Sequence, residues 1–167
     1  MIERHRAALV TGLVALVAIC DQATKRIASD TLRFSLPQSY LDGLFRLQYS
    51  ENPGGFLSFG AGLPGDVRTW LFKWAVGILL TGALAFALLD RQVRTVTTIG
   101  LALFIGGGFS NLADRVFRGD LVVDFMNVGI GRLRTGVFNV ADLSIVVGLV
   151  VLLVGSLLGQ GSSTRYS

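Results

Sequence analysis

Charge, cysteine, histidine and proline are all scarce in this chain of 167 residues: 16% of positions are charged, with one cysteine, one histidine and three prolines. Soluble domains carry roughly 25% charged residues. A chain that is 51% hydrophobic therefore lacks the polar surface to cover itself in water. The lone Cys20 excludes an internal disulfide framework. The lone His5, beside the N-terminus, excludes a Ser-His-Asp triad, a His/Cys zinc site and an HExxH helix. No GxxxxGK(S/T) phosphate loop occurs. A mean hydropathy of +0.61 also excludes a disordered chain, which needs low hydrophobicity.

What the chain does have is apolar length. Runs at about 7–28, 69–89, 95–112 and 138–158 each approach the roughly 20 residues that cross a hydrocarbon core. Backbone groups must satisfy one another there, so each run is expected to be a helix. The expectation is an all-α integral membrane protein, one polytopic domain over 1–167, with long loops at about 29–68 and 113–137. Net charge is +4, and 13 of the 15 basic residues are arginines scattered without a dense run. Scattered positive charge fits anionic lipid headgroups, whereas nucleic-acid binding needs a basic stripe. Arg4 to Arg6 followed by an apolar run resembles a secretory signal, and Val17 to Cys20 resembles a lipoprotein cleavage box. Ile19 is too large for that box, and Asp21, Gln22 and Lys25 continue on helical spacing, so the segment is read as a retained span.

In the first long loop, Leu44 to Ser50 alternates as a half-buried strand does, and the Gly/Pro-rich ENPGGFLSFGAGLPG that follows is a loop or hairpin. Asp90 to Thr95 is short enough to force an antiparallel hairpin of spans 2 and 3. Leu121 to Val123 is expected to be a short extended piece. Gly106, Gly107 and Gly108 suit close helix packing, Gly155 and Gly159 form a weak GxxxG, and the terminal GQGSSTRYS is expected to fray. Four spans put both termini on one side. Five arginines fall on that side against nine basic residues in and beside the long loops, so a raw count would place the loops in the cytoplasm. Normalised by loop length the bias reverses, and charge alone does not settle orientation.

Ionisable groups at membrane depth cost several kcal/mol, roughly 2.5–3.5 on insertion scales, and point to function by default. Asp21 and Lys25 share a helix face, and read as an ion pair capping span 1. Asn111, Asp114 and Arg115 share a face at the end of span 3 and read as a structural network. Asp124 sits in the apolar VVDF. Asp142 sits inside span 4, with Asn139 the better N-cap. Two carboxylates in apolar surroundings suggest a dyad sharing one proton, in which the ionised partner activates water and the protonated one hydrogen-bonds the scissile carbonyl. Structural polar residues or a proton relay are the alternatives, and spacing does not decide between them.

Taken in order, DQATK at Asp21–Lys25, ENPGG from Glu51, SNLADR at Ser110–Arg115, GDLVVDF at Gly119–Phe125 and FNVAD at Phe138–Asp142 resemble the boxes of the lipoprotein signal peptidase (signal peptidase II) family. Each box is weak alone; five in order over about 7–158 are specific. The resemblance implies four transmembrane helices with a small extracytoplasmic β-rich cradle and a short helix in the first long loop. It implies a multi-pass protein of the bacterial cytoplasmic membrane with both termini cytoplasmic, acting as a monomer among phospholipids. Asp124 and Asp142 match the family's catalytic aspartates. Asn52, Gly54, Asn111, Arg115 and Asn139 match positions that support the site or bind substrate, and Asp21, Lys25 and Asp114 match structural polar positions. The implied reaction is hydrolysis before a diacylglyceryl-cysteine in a lipoprotein precursor, with no metal or cofactor.

Three departures bear on substrate. Phe56 and Leu57 follow the glycines where the family has a small residue and then an aromatic, Gly119 and Asp124 are one residue further apart than usual, and the small polar residue after Asp142 shifts to Ser144. A divergent member with another membrane-anchored substrate is one alternative reading; a lipoprotein-binding protein without enzymatic activity is the other.

Overall fold

The computed structural model describes residues 2–90 and 93–160. Arg91, Arg165, the 161–167 tail and the middle of the 90–95 turn, on which parts of the reading above fall, lie outside it. Helix α1 spans Ile2–Leu32. Strands β1 (Gln38–Tyr40) and β2 (Phe45–Asn52) follow, then a single 3-10 turn at Phe56–Ser58. Helix α2 covers Gly65–Leu89, including a π-helical stretch at Trp70–Ala75, and α3 covers Thr95–Phe117. Strands β3 (Val122–Ile130) and β4 (Leu133–Arg134) lead into α4, Val140–Gln160.

All four helices are long and apolar enough to cross a membrane. Half of the apolar window of α3 is buried, against 17% for each of the other three, so α3 is the central helix. Its glycine triplet explains how three neighbours reach it. A Cβ on Gly106 would meet Val14 and Val17 of α1, one on Gly107 the Ala141 carbonyl of α4, and one on Gly108 the Leu80 side chain of α2. Close approach of this kind is how membrane helices gain packing energy where lipid offers no hydrophobic drive. Outward positions such as Ile78, Leu79, Leu153 and Leu157 are exposed and apolar, as lipid requires.

Three helices outrun their apolar stretches, α2 at its start and α1 and α3 at their ends, and the overrun carries polar groups. α1 continues to Leu32 and α3 to Phe117, so Asp114 and Arg115 stand on the last turns of α3. The strands also run longer than expected. β3 is nine residues long, well beyond Leu121 to Val123, because Val122 to Phe125 are all buried. The sheet runs β1-β2-β3-β4, all antiparallel, so both long loops build it. Its central pair, β2 with β3, sets Ser50 opposite Asp124 and Asn52 opposite Val122, past an irregularity between Leu47 and Ser50. A small core of Ala28, Leu32 and Phe125, with Leu47, Met126 and Val140 against it, fixes the sheet to the ends of α1 and α4.

Candidate active site

Polar side chains converge where α1, α3 and α4 meet the sheet. Asp124 comes from β3 and Asp142 from the first turn of α4, and both are buried, at 1% and 4% exposure. Asn139 joins them. Its Oδ1 accepts the backbone N–H of Asp142 at 2.8 Å, while Asp142 Oδ2 accepts the Asn139 N–H at 3.3 Å. This reciprocal pair is a capping box, with Asn139 as N-cap and Asp142 as its third helical residue. Because Oδ1 of Asn139 faces a fixed donor, its Nδ2 must face away, and it donates to Asp124 Oδ1 at 2.7 Å.

The same logic orients the other amides. Asn52 Oδ1 accepts the Gly54 N–H at 2.8 Å, so its Nδ2 donates to Asp124 Oδ2 at 2.9 Å. Asn111 Nδ2 donates to Asp142 Oδ1 at 2.8 Å. Both carboxylates thus face donors, an environment built to receive negative charge. Burial opposes that charge, and with the nearby Asp142 carboxylate it pushes the Asp124 carboxyl up to about 7, against the pull of Asn52 and Asn139.

Arg115 closes one side. Its guanidinium donates to the Gly54 carbonyl and, at 3.2 Å, to the Asn111 carbonyl, over the Phe72 ring at 5.5 Å. Gly54 sits under the tight turn that follows β2, where a Cβ would meet the Phe59 carbonyl at 2.6 Å, so only glycine fits. In that turn Leu57 and Ser58 adopt left-handed conformations (φ of 53° and 64°), strain that non-glycine residues seldom carry. Leu57 lies against Gly136, just before α4, so the first loop covers the second. Phe56 is about half exposed.

Behind the carboxylates lies a second cluster. Lys25 pairs with Asp21 at 2.7 Å and with Asp114 at 2.9 Å, all three fully buried. The pair with Asp21 does not cap span 1, since α1 runs on to Leu32. Instead Asp21 Oδ1 accepts the Ala141 N–H at 2.8 Å, so α1 caps the start of α4. Ser110 donates to Asp21 at 2.7 Å, Gln22 to Asp114 at 3.0 Å, and Asp114 accepts the Val123 N–H at 3.3 Å. Lys73 and Thr69 both hold Asp120 in the turn after α3, at 2.6 and 2.9 Å. Lys73, the one charge inside the second apolar run, was the available signal for that fastening; nothing in the sequence pointed to Phe72. Among the described residues, no group of three His, Cys, Asp or Glu side chains could hold a metal ion.

Four membrane-length helices capped by a small antiparallel sheet, with two buried carboxylates where they meet, define the class of an integral membrane protein. The family model described as Signal peptidase (SPase) II matches residues 13–158. A lipoprotein signal peptidase of Syntrophus aciditrophicus is 39% identical over 142 residues, covering 83% of this chain and 86% of that protein. One of Desulforapulum autotrophicum is 35% identical over 147 residues, covering 87% and 90%. A solved bacterial membrane enzyme superposes with a TM-score of 0.79 at 24% identity, over 95% of this chain and 92% of that one, and shares the fold. The chain belongs to the signal peptidase II family, which makes it a protease of bacterial membranes.

Proposed function

We propose that this chain removes signal peptides from lipid-modified lipoprotein precursors by water attack across the Asp124–Asp142 dyad, cutting before the lipidated cysteine. The observation that carries the reading is Asn139, whose side chain donates to the Asp124 carboxylate and whose backbone N–H donates to the Asp142 carboxylate. Asp142 acts ionised, favoured by its place in the first turn of α4, where helix N–H groups point at negative charge. Asp124 holds the shared proton, as its elevated titration near 7 supports. Asp142 takes a proton from water as the hydroxyl bonds to the scissile carbonyl carbon, and Asp124 protonates the carbonyl oxygen. Collapse of the resulting gem-diol returns a proton to Asp124, while Asp142 protonates the departing amine of the cysteine. No cofactor enters these steps.

Arg115, Asn52 and Gly54 hold the covering turn at the site, and this is the basis for assigning them to substrate binding. A precursor anchored by its signal helix and acyl chains presents its bond at the membrane surface, where these helix ends meet the sheet. On this reading the sheet lies outside and both termini in the cytoplasm.

The test is purified protein in detergent with a lipidated and an unlipidated precursor. Cleavage of the lipidated one alone is expected, and Asp124→Asn or Asp142→Asn should each lower the rate by about 10²–10⁴-fold or more without unfolding. Near-wild-type cleavage by either variant defeats the dyad. Cleavage of neither precursor by the wild-type chain points to another anchored substrate, the reading that Phe56 and Leu57 favour.

A further inference from the structure

Lys25 carries a wholly buried charge that the reaction above does not use. An ammonium has three protons and no lone pair. Two go to Asp21 and Asp114; the third goes to Asn111 Oδ1 at 2.7 Å. An amide is nearly symmetric in shape, so contacts alone do not decide which of its ends faces which neighbour. Facing Lys25, Asn111 can present only its oxygen, and its Nδ2 is thereby turned to Asp142 Oδ1.

We propose that Lys25 is a positioning residue for the dyad: it locks Asn111 in the orientation that donates to Asp142, keeping Asp142 the ionised partner and the shared proton on Asp124. The proposal rests on the dyad reading. Without the ammonium, Asn111 can turn its oxygen toward Asp142, and two acceptors then meet unless Asp142 takes the proton. The proton would sit on the wrong carboxylate. Asn139 Nδ2 also donates to Asn111 Oδ1, at 3.1 Å, but as a neutral bond of about half the strength of the charge-assisted one.

Charged groups face Lys25 from two helices. Asp21 faces it from its own helix and Asp114 from α3, the latter also bound by Arg118 at 3.2 Å. Beyond Asn111 stand Arg115 on α3, Asp142 on α4 and, through Asn139, Asp124 on β3.

Lys25→Met alone would strand two buried carboxylates, so the test uses Asp21→Asn/Lys25→Met, with Asp21→Asn and Lys25→Arg as companions. In the double variant, kcat should fall about 100-fold with KM within about threefold. The acid limb of its pH profile should move up by about one unit as Asp142 loses its donor. Adding Asn111→Ala should then cost less than about threefold more, because both changes remove one interaction. Lys25→Arg and Asp21→Asn should keep the wild-type position of the acid limb. An unmoved acid limb in the double variant, or losses that multiply with Asn111→Ala, would make Lys25 merely structural. If the double variant does not fold, Lys25→Arg and Asn111→Ala decide: a shifted limb in the first or an unshifted one in the second overturns the proposal. Undiminished cleavage by Asp124→Asn would instead defeat the dyad itself.

Discussion

At the scale of single residues, three asparagines control two aspartates, and each asparagine is oriented by a donor that cannot reverse: the Gly54 N–H, the Asp142 N–H and the Lys25 ammonium. The aspartates were legible because acids are so scarce that two in apolar contexts stand out. Their partners were less so. Asn139 was visible as a cap, but its second bond depends on β3 lying beside α4, a long-range fact. The bond from Asp21 to Ala141 joins residues 120 apart, and local spacing carries no trace of it. The titration of Asp124 gives a first prediction. If the proposed dyad proton sits on Asp124, whose carboxyl is pushed up to about 7, cleavage should be level just below that pH and fall about tenfold per unit above it, measured as kcat/KM. Stability follows the same proton. A carboxyl raised from its ordinary 3.8 binds its proton more tightly in the folded chain, so its stabilising effect is full below about 4 and is lost as pH rises to about 7. Thermal unfolding in detergent should show the wild type weakening over that window. Asp124→Asn should flatten the trend by up to about 1.4 kcal/mol per pH unit.

At the scale of elements, the informative events happen at helix ends. The helices were readable as apolar runs, but polar final turns broke the hydropathy signal before the helix stopped. That is why α3 seemed to end near 112 while its real last turns hold Asp114 and Arg115. The glycine triplet was readable as packing, though not which helix each glycine admits. Gly107 is the sensitive one, since it lets α3 touch the Ala141 carbonyl at the turn that presents Asp142. Gly107→Val should therefore cost about 1–3 kcal/mol in unfolding free energy and also reduce kcat, because α4 must shift with its first turn. Gly12→Ala, with open space around it, should do neither. The Lys73–Asp120 pair behaves differently. Lys73 draws the Asp120 carboxyl below its ordinary value, yet Asp120 is 38% exposed, so Asp120→Ala should lower stability by no more than about 1 kcal/mol. A larger loss in the same unfolding assay would mean the π-helical stretch of α2 depends on that contact.

For the whole molecule, the sheet bears on how the arginine count should be weighed. It knits the two long loops together, and several of the basic residues there are drawn into contacts within the protein. Lys25 and Arg115 are buried in the site, Arg118 binds Asp114, Arg33 pairs with Glu51, Arg68 donates to the Ala61 carbonyl, and Arg134 donates to the Gly43 carbonyl. Positive charge biases orientation when it flanks the spans freely. Discounting these six of nine, and Arg6, which donates to the Ala87 carbonyl, removes the excess beside the long loops, as the proposed orientation requires. Labelling decides it. In a Cys20→Ser background, Ser35→Cys lies in the exposed turn after α1 and Thr95→Cys at the exposed start of α3, on opposite ends of the bundle. A membrane-impermeant maleimide added to intact cells made permeable only at the outer membrane should label the cysteine at 35. The one at 95 should react only after the inner membrane is opened. The reverse pattern would put the dyad on the cytoplasmic face, where a precursor emerging outside could not reach it, and the proposed substrate would fall with the orientation.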